Sequence, residues 1–157
     1  MIRRKALTKE QALQKLRHYC SYQERCHSEV KTKLYQLGIN KKLYDGIIAA
    51  LIEGNYLNEE RFAMAFARGK FKMNQWGKRK IEYALKEKFI SDFCVRKSLK
   101  QIPEKDYRQT LEELVREKYD SLKGEQYLVR RKKTMDYLTG RGFEWQLVNE
   151  ALDDLTN

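Results

Sequence analysis

Residues 54–63 decide how the chain is organised, and they read Gly54-Asn55-Tyr56-Leu57-Asn58-Glu59-Glu60-Arg61-Phe62-Ala63. Gly54 follows an apolar helical pattern and is predicted to end that helix. Tyr56 and Leu57 are expected to pack a corner. Asn58 is a strong N-cap residue, and the two glutamates after it suit the positive end of a new helix. The stretch therefore predicts a helix end, a packed corner and a second helix start within ten residues.

Downstream of this corner, Phe62, Ala65 and Phe66 are predicted to form a buried stripe along the new helix. Arg61 lies inside the corner, so we expect it to pair within the molecule in preference to contacting a partner. Upstream, Thr8 and Gln11 form a capping-box pattern that begins the first helix.

Two more helices are predicted before the corner. One opens at Ser28 and stops at Gly38, a left-handed C-terminal position. The other starts near Asn40 and ends at Gly54. With the first helix, they make a unit of three helices in about 50 residues, within the usual range of a helical repeat.

This three-helix unit recurs along the chain. Leu34 is followed five residues later by Ile39, and apolar residues come after Ile39 at regular offsets. The same pair appears 51 residues on and again 53 residues further, as Leu85 with Ile90 and Leu138 with Phe143. We therefore predict an all-α fold of three tandem three-helix repeats in an elongated, curved array. The predicted divisions are residues 1–57 (an N-terminal extension and repeat 1), 58–103 (repeat 2) and 104–157 (repeat 3).

The charge is uneven across these divisions. The 157 residues hold 33 Lys and Arg against 22 Asp and Glu, a net charge of +11. The net charge is +6 over 1–57, +7 over 58–103 and −2 over 104–157. This asymmetry predicts a polyanionic partner for the first two repeats, either nucleic acid or an acidic protein surface.

Cysteine usage and the start of the chain favour a cytoplasmic protein. Cys20, Cys26 and Cys94 are an odd set without a C-x-x-C pair, so reduced thiols are expected, with Cys20 and Cys94 in the core. His18 and His27 lie near two of them, but the spacing lacks the pattern of a structural zinc site, and we predict no metal and no cofactor. Residues 1–8 carry basic groups without an apolar segment after them, which argues against a signal peptide. No apolar run is long enough to span a bilayer, so no membrane contact is expected.

Residues 54–63 resemble the G-Y-L-D-D-x-R-F-A signature of the RecX regulatory proteins. The segment Trp76-Gly77-Lys78-Arg79-Lys80-Ile81 looks like the G-P-x-x-I element of that family, and an upstream family pattern is echoed from Arg25 to Leu34, with Glu29 one place early. Two residues depart from the pattern. Lys78 stands where the family often has proline, which we expect to alter only the first turn of its helix, and Asn58 replaces an aspartate of equal capping strength.

The resemblance implies a non-enzymatic, cytoplasmic protein that binds the recombinase RecA and its filament on single-stranded DNA. It implies inhibition of strand exchange and ATP hydrolysis, in DNA repair and homologous recombination during the SOS response. Double-stranded DNA is a second candidate ligand, and self-contained repeats favour a monomer. Two alternatives stay open: a DNA-binding module without RecA contact, and an adaptor that grips an acidic protein.

Two basic clusters are the candidate binding residues for DNA or the filament. The first lies within 13 residues that contain no acid, and the second interrupts an otherwise acidic repeat. Phe71 and Trp76 lie among the first set, where they either stack on unpaired bases or belong to the core. No acid–base pair, phosphate loop or nucleophile motif is present, and the acids Glu112, Glu113, Glu117 and Asp120 are interpreted as a solvated helix face. The two clusters are Arg68, Lys70, Lys72, Lys78, Arg79 and Lys80, and Arg130, Arg131, Lys132 and Lys133.

Overall fold

The structure is a computed structural model that describes residues 6–157. The basic residues 1–5, on which part of the signal-peptide argument rests, lie outside the described residues. Within 6–157 the chain forms nine α-helices and one short 3-10 helix (Lys41–Leu43) and no strand, which confirms the all-α prediction. The helices are α1 (Lys9–Tyr22), α2 (His27–Gln36), α3 (Tyr44–Glu53), α4 (Glu59–Asn74), α5 (Lys78–Glu87), α6 (Asp92–Lys100), α7 (Glu104–Ser121), α8 (Tyr127–Gly140) and α9 (Trp145–Thr156).

The helices are grouped in threes. The extensive helix–helix contacts lie within the triplets α1–α3, α4–α6 and α7–α9. The accessible surface is 10739 Å², whereas a compact monomer of this mass would expose about 8,300 Å². The array is therefore elongated. We propose that the repeats divide before Asn58 and before Glu104, where the first helices of the second and third triplets begin.

Local capping sets the helix starts. The Thr8 hydroxyl accepts a hydrogen bond from the Gln11 N–H (3.1 Å), and the Gln11 side chain accepts one from the Thr8 N–H (3.0 Å). Asn58 caps α4 by accepting the Arg61 N–H at 2.9 Å. Both predicted caps are confirmed. The second helix starts at His27, one residue earlier than predicted, and Asn40 caps the 3-10 helix that precedes α3.

The repeated apolar pair closes the second helix of every repeat. The N–H of the later residue donates to the carbonyl of the earlier one, as in a Schellman motif, in all three cases. The three N···O distances are 3.1 Å for Ile39 to Leu34, 3.2 Å for Ile90 to Leu85 and 3.1 Å for Phe143 to Leu138. The residue that precedes each donor in the sequence has a positive φ: Gly38 (72°), Phe89 (62°) and Gly142 (99°). The periodic pair is therefore one recurring helix stop.

Two hydrophobic cores lie along the array. Repeat 1 has its own core, whereas repeats 2 and 3 share one that continues through Phe71, Tyr107 and Phe143, with ring centroids 5.8 and 5.3 Å apart. The predicted stripe on α4 was only partly right. Phe62 is buried, but Ala65 and Phe66 are half-exposed, because α4 turns Ala63, Ala67 and Phe71 inward and leaves Phe66 at the edge, against Trp76.

A cation–aromatic contact ties the first helix of each repeat to the start of its second helix. In repeat 1 the Arg25 guanidinium lies 3.8 Å from the centroid of the Tyr19 ring, and in repeat 3 Arg130 lies 3.6 Å from Tyr119. Repeat 2 uses the reverse order, with Lys70 on α4 and Trp76 before α5, 4.8 Å apart. Such contacts are worth about 0.5–2 kcal/mol each, so they stabilise the turn between the two helices.

Repeats 2 and 3 meet end to end through backbone groups. The N-terminus of α5 faces the C-terminus of α8: the Gly77 N–H donates to the Arg141 carbonyl (2.8 Å), and the Arg79 N–H donates to the Gly142 carbonyl (2.9 Å). These groups have no partner within their own helices, and the two helix dipoles attract each other here. The approach requires glycine at both positions, because a Cβ on Gly77 would overlap the backbone of Gly142.

Repeats 1 and 2 meet at the equivalent place with different chemistry. Cys26 and Phe89 take the positions of the two glycines, so side chains make the contact: the Ser28 hydroxyl donates to the Lys88 carbonyl (3.2 Å) and Lys88 pairs with Glu29 (3.5 Å). Cys26 is fully buried there. This junction is held by side chains, whereas the one between repeats 2 and 3 is held by backbone.

Arg61 reinforces the first junction, as predicted from its place in the corner. Its Nε donates to Glu24 at 2.7 Å, and its other nitrogens donate to the side chain and carbonyl of Asn55, each at 3.0 Å. Arg61 is therefore an intramolecular clamp between the loop after α1 and the start of α4.

Gly77→Ala tests the backbone junction. The added Cβ forces the α5 and α8 ends apart, so we expect a loss of about 1–3 kcal/mol in the free energy of unfolding, the usual cost of overpacking. Gly69→Ala is the matched control, because nothing lies within 4 Å of its Cβ, and an alanine inside α4 should stabilise by about 0.5–1 kcal/mol. Urea unfolding measures both, and equal effects would contradict the close approach.

Candidate nucleic-acid interface

The six residues of the first basic cluster lie around the turn between α4 and α5. Arg68, Lys70 and Lys72 belong to the last turns of α4, and the other three form the first turn of α5. Gln75, in the left-handed region (φ 54°), ends α4, and Gly77 begins α5 with its contact to repeat 3. The sharp turn brings the two cationic segments close together.

The six cations do not share one face. Arg68 and Lys72 are four residues apart and line a depression beside the α6–α7 connection, with Ile102 and Pro103. Lys70 lies on the other side of α4, with its Nζ 4.8 Å from the centroid of the Trp76 ring, and Lys80 approaches the same ring at 4.5 Å. The cluster is thus divided, and Trp76 lies between two cations on one side.

The six cations are unpaired. Within residues 6–157, no carboxylate oxygen lies within 4.0 Å of any of their charged nitrogens, although other cations of the same repeat are paired, such as Lys86 with Glu82 at 2.9 Å. Unpaired lysine and arginine side chains can neutralise phosphates without first losing a partner.

The two aromatic residues of this cluster differ in exposure. Phe71 is 5% exposed and belongs to the shared core, which confirms the core interpretation for this residue and excludes it from stacking. Trp76 is half-buried at the edge of that core, against Phe66. Of these two residues, only Trp76 therefore remains at this surface, flanked by Lys70 and Lys80.

Lys78 links the cluster to repeat 3, so the expectation that its departure from proline affects only one helical turn was wrong. Its N–H donates to the Tyr107 hydroxyl (3.0 Å), and that hydroxyl donates to Glu144 (2.8 Å). Burial raises the pKa of Tyr107, so the phenol stays protonated and keeps its donor. Proline has no N–H and could not make the first of these bonds.

The second basic cluster is neutralised by its own repeat. Arg130 stacks on Tyr119 and approaches Asp120 at 3.8 Å, and Arg131 donates to Asn149 (2.7 Å) and Asp153 (2.6 Å). The other two contacts are Lys132 with Asp136 (2.7 Å) and Lys133 with Glu125 (2.6 Å). A partner would have to displace these acids, so the second cluster is a weaker candidate than the first.

The acids of α7 lie at the surface, whereas the cysteines lie in the core. Glu112, Glu113, Glu117 and Asp120 are all exposed, in agreement with a solvated face. The three cysteines form no disulfide and are buried, which confirms the core assignment of Cys20 and Cys94, and burial raises the pKa of the Cys20 and Cys26 thiols. No described helix combines the length and the apolar composition needed to cross a bilayer.

The sequence reasoning missed a cationic groove on repeat 1. It lies between α1 and α2 and is lined by Lys15, His18, Tyr19, Tyr22, Arg25 and Lys33. The cations are scattered over 19 positions and never form a run, so the sequence shows no basic cluster there. The repeat period does indicate part of the groove. A shift of 51 residues aligns Tyr19 with Lys70 and Arg25 with Trp76, so the same two positions hold one cation and one aromatic residue in both repeats.

Two family models match this chain. The RecX second three-helix domain matches residues 58–99, and the RecX third three-helix domain matches residues 105–152. The chain belongs to the RecX family. Lys78 to Lys80 fall in the first of these matches, and Arg130 to Lys133 fall in the second.

Similar RecX proteins cover most of the chain. It is 28% identical over 152 residues to regulatory protein RecX of Lactobacillus johnsonii (97% of this chain, 56% of the relative), and 28% identical to that of Prosthecochloris aestuarii (92% and 93%). The chain spans about half the length of several curated relatives that it matches. The fold is also that of RecX from Lactobacillus salivarius (TM-score 0.84, 22% identity, 94% of this chain and 96% of that one) and of a second RecX structure (TM-score 0.85, 19%, 92% and 73%).

The two basic clusters of this RecX-family chain should differ in their effect on stability. Arg131→Ala removes hydrogen bonds to Asn149 and Asp153 from a side chain that is 20% exposed, so we expect a loss of about 1–3 kcal/mol in the free energy of unfolding. Lys80→Ala removes an unpaired exposed cation together with its contact to the Trp76 ring, which is worth about 0.5–1 kcal/mol at an exposed site, so its cost should be smaller. Chemical denaturation of the two variants measures this difference, and a larger cost for Lys80→Ala would contradict the pairing scheme.

Proposed function

We propose that this chain binds RecA and its filament on single-stranded DNA, and that it inhibits strand exchange and ATP hydrolysis without catalysing a reaction itself. Membership of a family of regulatory proteins supports this role. The observation that carries the DNA-binding part is the unpaired basic cluster on repeat 2. We also propose that the protein acts in the cytoplasm, as a monomer and without a cofactor.

The elongated array supports binding along a filament. Repeats in a row can contact several RecA subunits or several nucleotides at once, and each contact raises the effective concentration of the next. Moderate individual contacts then add up to tight binding. A protein lying along the filament would exclude a second DNA molecule and would hinder the subunit movements of the hydrolysis cycle.

RecA-catalysed ATP hydrolysis on single-stranded DNA tests the proposal. We expect strong inhibition when the chain is present at less than one molecule per RecA, since a clamp across subunits affects more RecA than it contacts. Inhibition that requires excess chain and disappears with added DNA would indicate competition for DNA. Unchanged hydrolysis at excess chain and low salt would exclude the RecA role.

A second candidate function is direct DNA binding without RecA contact. The unpaired cations of repeat 2 favour it, because they need no other protein to attract phosphates. Binding to naked DNA with a steep salt dependence, together with unchanged RecA activity, would select this alternative.

Charge reversal of the first turn of α5 tests the cluster itself. The variant Lys78→Glu, Arg79→Glu, Lys80→Glu keeps the Lys78 backbone N–H and alters only side chains that are exposed or half-exposed, so we expect the fold to survive. Binding to a single strand should weaken, and the slope of log K against log salt should flatten by about 0.7 for each lost phosphate contact.

The matched control changes the net charge equally at exposed positions elsewhere: Lys41→Glu, Lys42→Glu, Lys123→Glu. If both variants flatten the slope by the same amount, overall charge accounts for binding and the cluster is not a site.

A further inference from the structure

The groove between α1 and α2 is lined mainly by cationic and aromatic side chains. Its volume is about 560 Å³, within the range of small-ligand sites. Besides Gln14 and Leu37, its lining consists of Lys15, His18, Tyr19, Tyr22, Arg25 and Lys33, without any acid.

The inner wall of the groove is preorganised. The Tyr19 ring has the Arg25 guanidinium 3.8 Å from its centroid and the Lys33 ammonium at 5.4 Å. The Arg25 Nε also donates to the Tyr19 carbonyl at 3.1 Å, so its orientation is fixed. Burial raises the pKa of Tyr19, which keeps the phenol neutral and adds no negative charge.

The rim of the groove is open and aromatic. Tyr22, in the last turn of α1, is 79% exposed. The cations of the groove are unpaired: within residues 6–157, Lys15, Arg25 and Lys33 have no carboxylate within 4.0 Å, whereas Arg17 of the same helix pairs with Glu10. Both a free aromatic face and unpaired positive charge are therefore available to a ligand.

We propose that this groove binds a nucleotide of a single strand, with its base stacked on Tyr22 and its phosphates on Lys15, Arg25 and Lys33. A single strand fits better than a duplex, because only an unpaired base exposes its face to a side chain. An acidic peptide would satisfy the cations, but its carboxylate side chains offer no flat face to stack on Tyr22. The proposal rests on the DNA-binding part of the proposed function and adds a second contact site to it.

The groove is connected to the basic cluster of repeat 2. Lys33 and Lys88 line one depression across the junction of the two repeats, and the Lys88 ammonium lies 6.0 Å from the centroid of the Phe66 ring. Lys70 approaches the same ring at 5.5 Å and leads to Trp76. Cations and aromatic rings thus alternate from repeat 1 to repeat 2, and we name this surface the cation–aromatic track.

The track has a weaker middle and a defined end. Glu29 and Glu87 line the depression at the junction, although Lys88 neutralises Glu29. We therefore expect the phosphate contacts at the two ends, in the groove and around Trp76. The track stops at repeat 3, where Asp120 and the other acids pair with the equivalent cations.

Binding of the full chain to a fluorescein-labelled 20-nucleotide oligothymidine, measured by anisotropy without RecA, tests the groove. Tyr22→Ala should weaken binding by about 5-fold to 150-fold, the range found when one stacked base loses its aromatic partner. Tyr22→Trp should restore it, since the indole also offers a flat face. The control is Tyr35→Ala, a tyrosine of the same repeat that is 73% exposed and does not line the groove.

The cations of the groove are tested by the salt dependence. Lys15→Ala with Lys33→Ala should flatten the slope of log K against log salt by about 0.7 per lost contact. Lys41→Ala with Lys42→Ala removes the same charge from an exposed site on repeat 1 and should leave more of the slope intact. Equal slopes in the two double variants would overturn the assignment of phosphates to the groove.

The outcomes separate the groove from the RecA role. Wild-type affinity in Tyr22→Ala overturns the groove, and so does failure of the wild-type chain to bind the oligonucleotide while it still inhibits RecA. Displacement of the strand by an acidic peptide as effectively as by unlabelled oligothymidine also overturns it. Tyr22-dependent binding without RecA inhibition supports the groove and removes the RecA part of the proposed function.

Discussion

The end-to-end contact between α5 and α8 is the constraint on which the rest of the array depends. Two glycines, Gly77 and Gly142, let the unsatisfied N–H groups of one helix meet the unsatisfied carbonyls of another. The contact fixes repeat 3 against repeat 2 and encloses Tyr107, whose ring continues the core between them. It also places Lys78 to Lys80, the first turn of α5, at the joint. There the Arg141 and Gly142 carbonyls take the place of a side-chain cap for α5.

The equivalent contact between repeats 1 and 2 is built differently, so the array has two different joints. With Cys26 and Phe89 in place of the glycines, the helix ends meet through Ser28 and Glu29. Phe89 is 85% exposed, and its backbone is held at φ 62°. This left-handed conformation costs a non-glycine residue about 1–3 kcal/mol. A strand bound on the proposed cation–aromatic track would cross this side-chain joint, so repeat 1 would contribute to binding only while the joint holds.

Local chemistry made much of the fold predictable, and long-range pairing made much of the site unpredictable. The Thr8 and Asn58 caps and the stop at Gly38 depend on residues within five positions, and these predictions were right. Phe71 could not be assigned, because its exposure is decided by Tyr107, 36 residues away. The Arg131 pairing had the same difficulty, since Asn149 and Asp153 come from another helix. Helical periodicity alone would have predicted that Arg68 and Lys70 lie on opposite sides of α4.

The distribution of paired and unpaired cations says more about function than net charge does. Repeat 3 holds 10 of the 33 basic residues, but its four consecutive cations all meet acids of the same repeat. Repeats 1 and 2 leave Arg25, Lys33, Lys70 and Lys80 unpaired beside aromatic rings. A polyanion is therefore expected to follow the first two repeats. The side chains that repeat 3 exposes on α8 and α9 include Tyr127, Leu128 and Trp145, and such apolar groups suit a protein surface better than a phosphate backbone.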